Sequence, residues 1–164
     1  PTVGSDQRAA MVELAIADVP GLTLDTRELG RHGKSYTVDT LVSIRAELGP
    51  VIPLIWIMGV DSLEQLDRWH RWRSLLDLVN IAVLQRPGWH RESHGPVAAW
   101  LQKHQCHETQ LSQQPSGGIA LLQQPPLAVS STAVRTALRE RKNLQFLLPT
   151  SVIEYIADND LYTY

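Results

Sequence analysis

The sequence predicts an α/β domain organised around a parallel sheet. Two observations carry this. Leu54–Met58 is apolar without interruption, and Val79–Leu84 and Ile119–Leu122 are short and mainly apolar, as in strands buried on both faces. Segments with apolar residues at helical spacing lie between and around them, and strands alternating with helices imply right-handed βαβ crossovers. With 164 residues the chain is long enough to bury a core, and residues 1–164 read as a single domain with no repeat or linker.

Taken in order, Ser5 and Asp6 cap a helix carrying Ala9, Met11, Val12, Ala15 and Ile16, which stops at Pro20-Gly21. Leu22–Asp25 reads as a short strand, and Arg27–Lys34, polar and glycine-containing, as a loop. Ser35-Tyr36-Thr37 lead into a second helix with Val38, Leu41, Val42, Ile44 and Leu48, ended by Gly49-Pro50. The strand Leu54–Met58 is followed by Gly59 and by two short helical pieces, Ser62–Leu66 and Trp72–Leu76. Arg86-Pro87-Gly88 stops the strand Val79–Leu84. The stretch Trp89–Gly118 is the least regular, rich in Gln, His, Ser and Gly, with a helix at Val97–Lys103. After the strand Ile119–Leu122, Pro125-Pro126 precede a helix opened by Ser130-Ser131-Thr132. A final helix takes Val152, Ile153, Tyr155 and Ile156.

Composition excludes several classes of function. The chain is 43% hydrophobic and 20% charged, with a formal net charge of −2. No basic field argues for nucleic acid or an anionic membrane. The single cysteine, Cys106, rules out an internal disulfide and fits a reducing cytoplasm. No apolar run approaches the roughly 20 residues of a membrane span.

The most chemically suggestive stretch is Val129–Arg135. Ser and Thr are favoured at helix starts because their hydroxyls accept the first free backbone N–H groups. Such a start gathers N–H donors and the positive end of the helix dipole on one point. Arg135 follows about one turn along, so its guanidinium reaches the same anion bidentately. Hydroxyls, amides and an arginine on one turn suggest a phosphate-binding corner; a plain capped helix with a surface arginine is the bland alternative. Ligands of a parallel sheet sit beyond the carboxyl ends of its strands, and Gly59, Asp61, Arg86 and Ser130–Arg135 all fall at such ends. Gly59 allows close backbone approach and Asp61 suits ribose hydroxyls; a helix N-cap is the competing role for Asp61.

Trp69-His70-Arg71-Trp72 places two tryptophans three apart in a polar, basic run. Trp69, nearer the loop, is the candidate platform for stacking on a flat or cationic ring, and Trp72 is assigned to the core. Arg86 suits a phosphate or carboxylate, with a surface salt bridge as its alternative. His90, His94, His104, Cys106 and His107 lack the spacing of a structural zinc site and read as a solvated, variable insertion. No metal site is therefore assigned.

These residues carry a family resemblance. Ser35-Tyr36-Thr37, Trp56-Ile57-Met58-Gly59-Val60-Asp61-Ser62, Trp69-His70, Gln85-Arg86-Pro87-Gly88 and Val129–Arg135 stand in the order and spacing of bacterial nicotinate-nucleotide adenylyltransferase. The resemblance covers almost the whole chain except Trp89–Gly118. The serine-threonine-arginine motif alone is shared by the wider nucleotidyltransferase superfamily; its combination with Ser35-Tyr36-Thr37 and Trp69 is more specific.

The resemblance implies a Rossmann-like, three-layer nucleotidyltransferase domain that joins nicotinate mononucleotide to ATP, giving nicotinate adenine dinucleotide and pyrophosphate. By position, Tyr36, Thr37, Trp69, His70 and Arg86 would hold the mononucleotide. Gly59 and Asp61 would face the adenosine ribose, while Ser130, Ser131, Thr132 and Arg135 would take the β,γ-phosphates. No protein nucleophile is needed, because the substrate phosphate attacks directly and Mg²⁺ rides on the triphosphate. Neither nucleic acid nor membrane is implied as a partner, and a homo-oligomer is left open. The family's glycine-rich turn and His-x-Gly-His motif do not occur in this sequence. The expectation is that they lie upstream, in a first βα unit of about 40–50 residues, and that no catalytic residue stands in the residues printed. The alternatives are a specificity like that of pantetheine-phosphate adenylyltransferase, or a nucleotide-binding remnant without catalysis.

Overall fold

The computed structural model describes residues 3–85, 94–123 and 129–162. In chain order its helices are α1 (Ser5–Ile16), α2 (Thr37–Leu48), α3 (Val60–Glu64), α4 (Leu75–Leu78), α5 (Pro96–His104), α6 (Ser131–Arg139) and α7 (Thr150–Asp158). Its strands are β1 (Ile55–Gly59), β2 (Asn80–Gln85) and β3 (Ile119–Gln123), and 3₁₀ turns occupy Leu66–Arg68, Trp72–Ser74 and Glu108–Ser112. They fall into two compact units: Gly33–Leu127, which contains the sheet, and Pro1–His32 with Ala128–Tyr164, which is helical.

The sheet has the order β1-β2-β3 and is parallel throughout, as the apolar runs predicted. Its register brings Gly59 level with Leu84 and Leu84 level with Leu122, so the three carboxyl ends form one edge. The central β2 is fully buried from Asn80 to Val83. β1 departs from the expectation of burial on both faces. Met58 is buried and Trp56 half-buried, but Ile55 and Ile57 are 40% and 63% exposed. Among the described residues β1 pairs along one edge only, and one of its faces has no covering layer. On the covered face, Val38 and Leu41 of α2, Val60 and Leu63, Leu75 and Leu101 close over Met58, Ile81 and Val83. Burying one such aliphatic side chain contributes about 1.5–3 kcal/mol.

Two polar residues lock this unit. The Arg45 guanidinium donates to the carbonyls of Leu78 and Gly49, at 3.0 and 3.1 Å, and of Ile52 and Pro115, at 2.6 and 2.9 Å. One side chain thus ties the end of α2 to the entries of β1 and β2. Asn80, fully buried, donates from Nδ2 to the carbonyls of Leu111 and Gln114 and accepts from the Gly118 N–H at 2.9 Å. A Cβ on Gly118 would lie 2.6 Å from Gln114 Nε2 and 2.8 Å from Cys106 Sγ, so any larger residue there would displace both side chains. The reading of Trp89–Gly118 as a solvated insertion is thereby corrected for its described part. Leu101 and Leu111 are buried, and the buried Asn80 pins the returning chain. Desolvation of the packed Cys106 pushes its thiol pKa up.

In the helical unit, Met11, Leu14 and Ala15 of α1 pack with Val152 and Ile156 of α7 and with Leu161. The α1 start lies one residue before the expected cap: Gly4 is the N-cap, and its N–H donates to Gln7 Oε1 at 3.3 Å. The strand expected at Leu22–Asp25 does not form; that segment is irregular. Asp25 accepts the Arg27 backbone N–H at 2.9 Å and pairs with its guanidinium at 2.6 Å. A carboxylate that captures a neighbouring N–H turns the chain instead of extending it. The same bonds hold the Asp25 carboxyl below its ordinary pKa.

Candidate functional site

The sheet unit contributes the first group of site residues. Tyr36 occupies the N-cap position of α2 in extended conformation, and its carbonyl accepts from the N–H groups of Asp39 and Thr40 at 3.0 and 3.2 Å. Thr37 is the first residue of the helix, so its N–H is among those that a helix start leaves without an intrahelical partner. The Tyr36 ring lies against His70, with centroids 4.4 Å apart and planes tilted by 34°. Thirty-four residues separate the two in sequence, and packing makes them neighbours.

His70 is carried by a turn that sends the two tryptophans to different environments. Trp69 closes the turn Leu66–Arg68, its N–H donating to the Leu66 carbonyl at 3.0 Å. Arg71 adopts φ 50, in the left-handed region, which costs a non-glycine residue on the order of 1 kcal/mol. The chain then reverses, and Trp72 enters the core at 6% exposure, edge-on to Trp100 at 5.1 Å and covered by the Arg73 guanidinium at 4.2 Å. Trp69 is half-buried, packed against the core cluster and otherwise open to solvent. The assignment of Trp72 to the core agrees with its burial.

Gly59 ends β1 and is the N-cap of α3; a Cβ there would meet nothing within 4 Å. Its φ of −79 makes no demand for glycine, so its value lies in the open space beside the backbone. Asp61 is exposed in the first turn of α3, one residue past its start at Val60, which removes the N-cap role considered for it. Arg86, one residue beyond the end of β2, lies outside the described residues, as does His90.

The helical unit holds the other group. Ser130 is the N-cap of α6, and its Oγ accepts from the Ala133 N–H at 3.1 Å. Arg135 Nη2 donates to Thr132 Oγ1 at 3.3 Å. Both hydroxyls therefore act as acceptors and keep their own protons for a further partner. Ser130, Ser131, Thr132 and Arg135 are all exposed. Ser130, Ser131 and Arg135 line a groove of about 1270 Å³ whose other walls come from α1 and α7. Local sequence brings these four residues together on one helical turn, whereas Tyr36 and His70 meet through tertiary structure. Sequence reasoning did not single out Arg8 or Arg139, which line the same groove. Their only signal was the spacing of Arg139, four residues after Arg135.

A parallel sheet with an edge of carboxyl ends, and a Ser/Thr-capped helix with an arginine one turn along, are features of nucleotidyltransferases. Residues 1–137 match the model of the family described as Cytidylyltransferase-like. Two bacterial relatives, each named a probable nicotinate-nucleotide adenylyltransferase, are 44% identical to the chain. That of Cellvibrio japonicus aligns over 99% of this chain and 77% of its own length, and that of Aeromonas salmonicida over 99% and 76%. The chain belongs to the nicotinate-nucleotide adenylyltransferase family. The fold is also that of a solved Plasmodium falciparum nicotinic acid mononucleotide adenylyltransferase complexed with APC. That comparison has a TM-score of 0.64 at 17% identity, over 98% of this chain and 76% of the other.

Proposed function

We propose that the protein takes part in transfer of the adenylyl group of ATP to nicotinate mononucleotide, giving nicotinate adenine dinucleotide and pyrophosphate. The observation that carries this reading is the pairing of Tyr36 with His70 beside the half-exposed Trp69, in a chain that also bears the Ser130–Arg135 corner. We assign these three rings and the α2 start to a flat ring bearing a carboxylate, and the donors of the α6 corner to linked phosphates. Tyr36, Thr37, Trp69, His70 and Arg86 are assigned to the mononucleotide. Gly59 and Asp61 are assigned to the adenosine ribose, and Ser130, Ser131, Thr132 and Arg135 to the β,γ-phosphates of ATP.

These residues work by holding and orienting. Tyr36 backs His70, and Trp69 offers a face to the pyridine ring. The α6 amides, two hydroxyls and a guanidinium neutralise charge that grows on the departing pyrophosphate. Among the described residues no group of three or more His, Cys, Asp or Glu stands together to hold a metal. Donors of this cationic and hydroxyl kind fit a phosphate chain that brings its own divalent ion, so Mg²⁺ enters with the nucleotide as part of the substrate. When bound it neutralises triphosphate charge. No helix among the described residues is long and apolar enough to cross a membrane. The single cysteine fits a reducing compartment, and on that ground we assign the protein to the cytoplasm.

The test is a comparison of ligands by calorimetric titration. Nicotinate mononucleotide is expected to bind at least tenfold more tightly than phosphopantetheine, because only the former offers a ring to Trp69 and a carboxylate to the α2 start. Equal affinity for the two, or no affinity for the nicotinate compound, would overturn the reading.

A further inference from the structure

Trp69 and His70, which belong to the ring group, are joined to Trp72, which belongs to the core, by one residue in an unfavourable backbone conformation. Arg71 has φ 50 and ψ 37, a left-handed geometry that an arginine keeps only where its surroundings determine it. Those surroundings lie on the Trp72 side. The Arg71 carbonyl accepts from the Ser74 N–H at 3.0 Å, closing the turn Trp72–Ser74. The buried Trp72 ring lies 5.1 Å from the Trp100 ring at an interplanar angle of 74°, with the Arg73 guanidinium 4.2 Å over it. That separation and angle are those of a favourable edge-to-face pair.

Trp100 belongs to α5, in the stretch that the family resemblance leaves out. Val97, Trp100, Leu101 and His104 recur at helical spacing and so share one face of α5. Leu101 is buried in the main cluster, Val97 and Trp100 pack against that cluster, and the His104 ring lies 5.8 Å from that of Trp100. Trp100 therefore meets Trp72 from an anchored helix. On the other side of Arg71, the Trp69 N–H donates to the Leu66 carbonyl at 3.0 Å and His70 lies against Tyr36. Peptide planes are rigid and φ and ψ are the soft coordinates. A tilt of Trp72 in its seat is thus passed through the Arg71 dihedrals to both site rings.

We propose that Trp100 is a positioning residue for the ring end of the site. Its edge contact seats Trp72, the seated Trp72 holds Arg71 left-handed, and that turn fixes the faces that Trp69 and His70 present to a pyridine ring bearing a carboxylate. Trp100 acts through Trp72 and not by contact with the substrate. The inference rests on the assignment of Trp69 and His70 to nicotinate mononucleotide, and it gives α5 a part in selecting that substrate.

Calorimetric titration with nicotinate mononucleotide and with ATP tests this on the protein and on Trp100→Leu, Trp100→Phe, Arg71→Val and Arg71→Asn. Trp100→Leu should weaken nicotinate mononucleotide about fivefold, in line with the contribution of one aromatic pair, and leave ATP unchanged. Trp100→Phe, which keeps an aromatic edge, should bind within about twofold of the parent. A merely structural role would weaken both ligands together. The exposed Arg71 gives a second arm that leaves the core untouched. Arg71→Val, whose β-branch opposes the left-handed region, should weaken nicotinate mononucleotide selectively, whereas Arg71→Asn, which tolerates that region, should not. Trp69→Ala combined with Trp100→Leu should lose less than the product of the two single losses, because Trp100 acts in part through Trp69. Parental affinity in Trp100→Leu, equal losses for both ligands, or a full product in the double variant would overturn the positioning role while Trp69→Ala still reports on the ring site. If Arg71→Asn falls as far as Arg71→Val, the guanidinium and not the turn matters, and the linkage is overturned. If the parent does not bind nicotinate mononucleotide, the assignment of the rings fails and the positioning role falls with it.

Discussion

The two groups of site residues are built by opposite means. The ring group of the sheet unit borrows its geometry from a core: Trp69 leans on the buried cluster, and Tyr36 meets His70 only because α2 and the turn after α3 pack over the same strands. The α6 corner borrows almost nothing. No residue of α6 is buried, and its defining bonds, Ser130 to Ala133 and Thr132 to Arg135, span three residues. Disturbing the core should therefore blur the first group, while the second answers mainly to changes on its own helix. Function divides along the same line. The rings select a flat substrate by a preformed shape, and the corner grips charge with groups that any well-capped helix can present.

The largest effect should come from Asn80, which stands at the root of the sheet unit. Asn80→Ala leaves the carbonyls of Leu111 and Gln114 and the N–H of Gly118 without the partners they have now. Unsatisfied buried polar groups cost about 1–3 kcal/mol each, with partial relief by water. A loss of about 3–5 kcal/mol in chemical denaturation is expected, with weaker binding of nicotinate mononucleotide as the ring group loosens. A loss below about 1 kcal/mol would break the comparison, because the ring group would then not depend on this core.

Next comes Trp69→Ala, which tests the ring group directly. Stacking of an indole on a pyridinium contributes on the order of 1 kcal/mol or more. The variant should bind nicotinate mononucleotide about tenfold more weakly and ATP nearly as well as the parent. Equal losses for both ligands, or a collapse of the fold, would make Trp69 a core residue like its neighbour Trp72.

What was legible in the sequence follows the same division. The capped start of α6 and its arginine were readable, because a cap and a residue one turn along need only local spacing; the phosphate role given to them came from that pattern and from family resemblance. Parallel strands were readable from apolar runs, and Trp72 as core from its place in the segment. Burial of β1 on both faces was not, since Ile55 and Ile57 depend on what lies over the sheet and not on their own hydrophobicity. Asn80 and Arg45 escaped notice for a related reason: a polar residue in an apolar stretch acquires meaning only when the carbonyls it serves, 31 to 34 residues away for Asn80 and 70 for Arg45 to Pro115, are known. The strand expected at Leu22–Asp25 does not form because Asp25 accepts the Arg27 N–H and turns the chain. Tyr36 and His70 were placed at one substrate by family resemblance; their ring contact is tertiary and lay beyond sequence patterning.

The smallest effect, and the sharpest test of locality, is expected from Ser130→Ala. The hydroxyl that accepts the Ala133 N–H is lost, and replacing such a cap costs about 1 kcal/mol. Because the cap bond lies in the first turn, whereas the contact of α6 with the α1–α7 cluster is made by Leu138 in its last turn, that cost should fall on the helix start and not on the unit. Amide hydrogen exchange should speed up about fivefold over the first turn of α6, in line with that energy, with α1 and α7 unchanged, since Met11, Leu14, Val152 and Ile156 pack regardless of Ser130. Pyrophosphate binding should weaken alongside, because a frayed start no longer aims its amides at one point. Equal loss of protection across α1 and α7 would show that the packing of Leu138 against their cluster couples the corner to the core. The corner would then be a tertiary construction like the ring group, and the contrast between them would disappear.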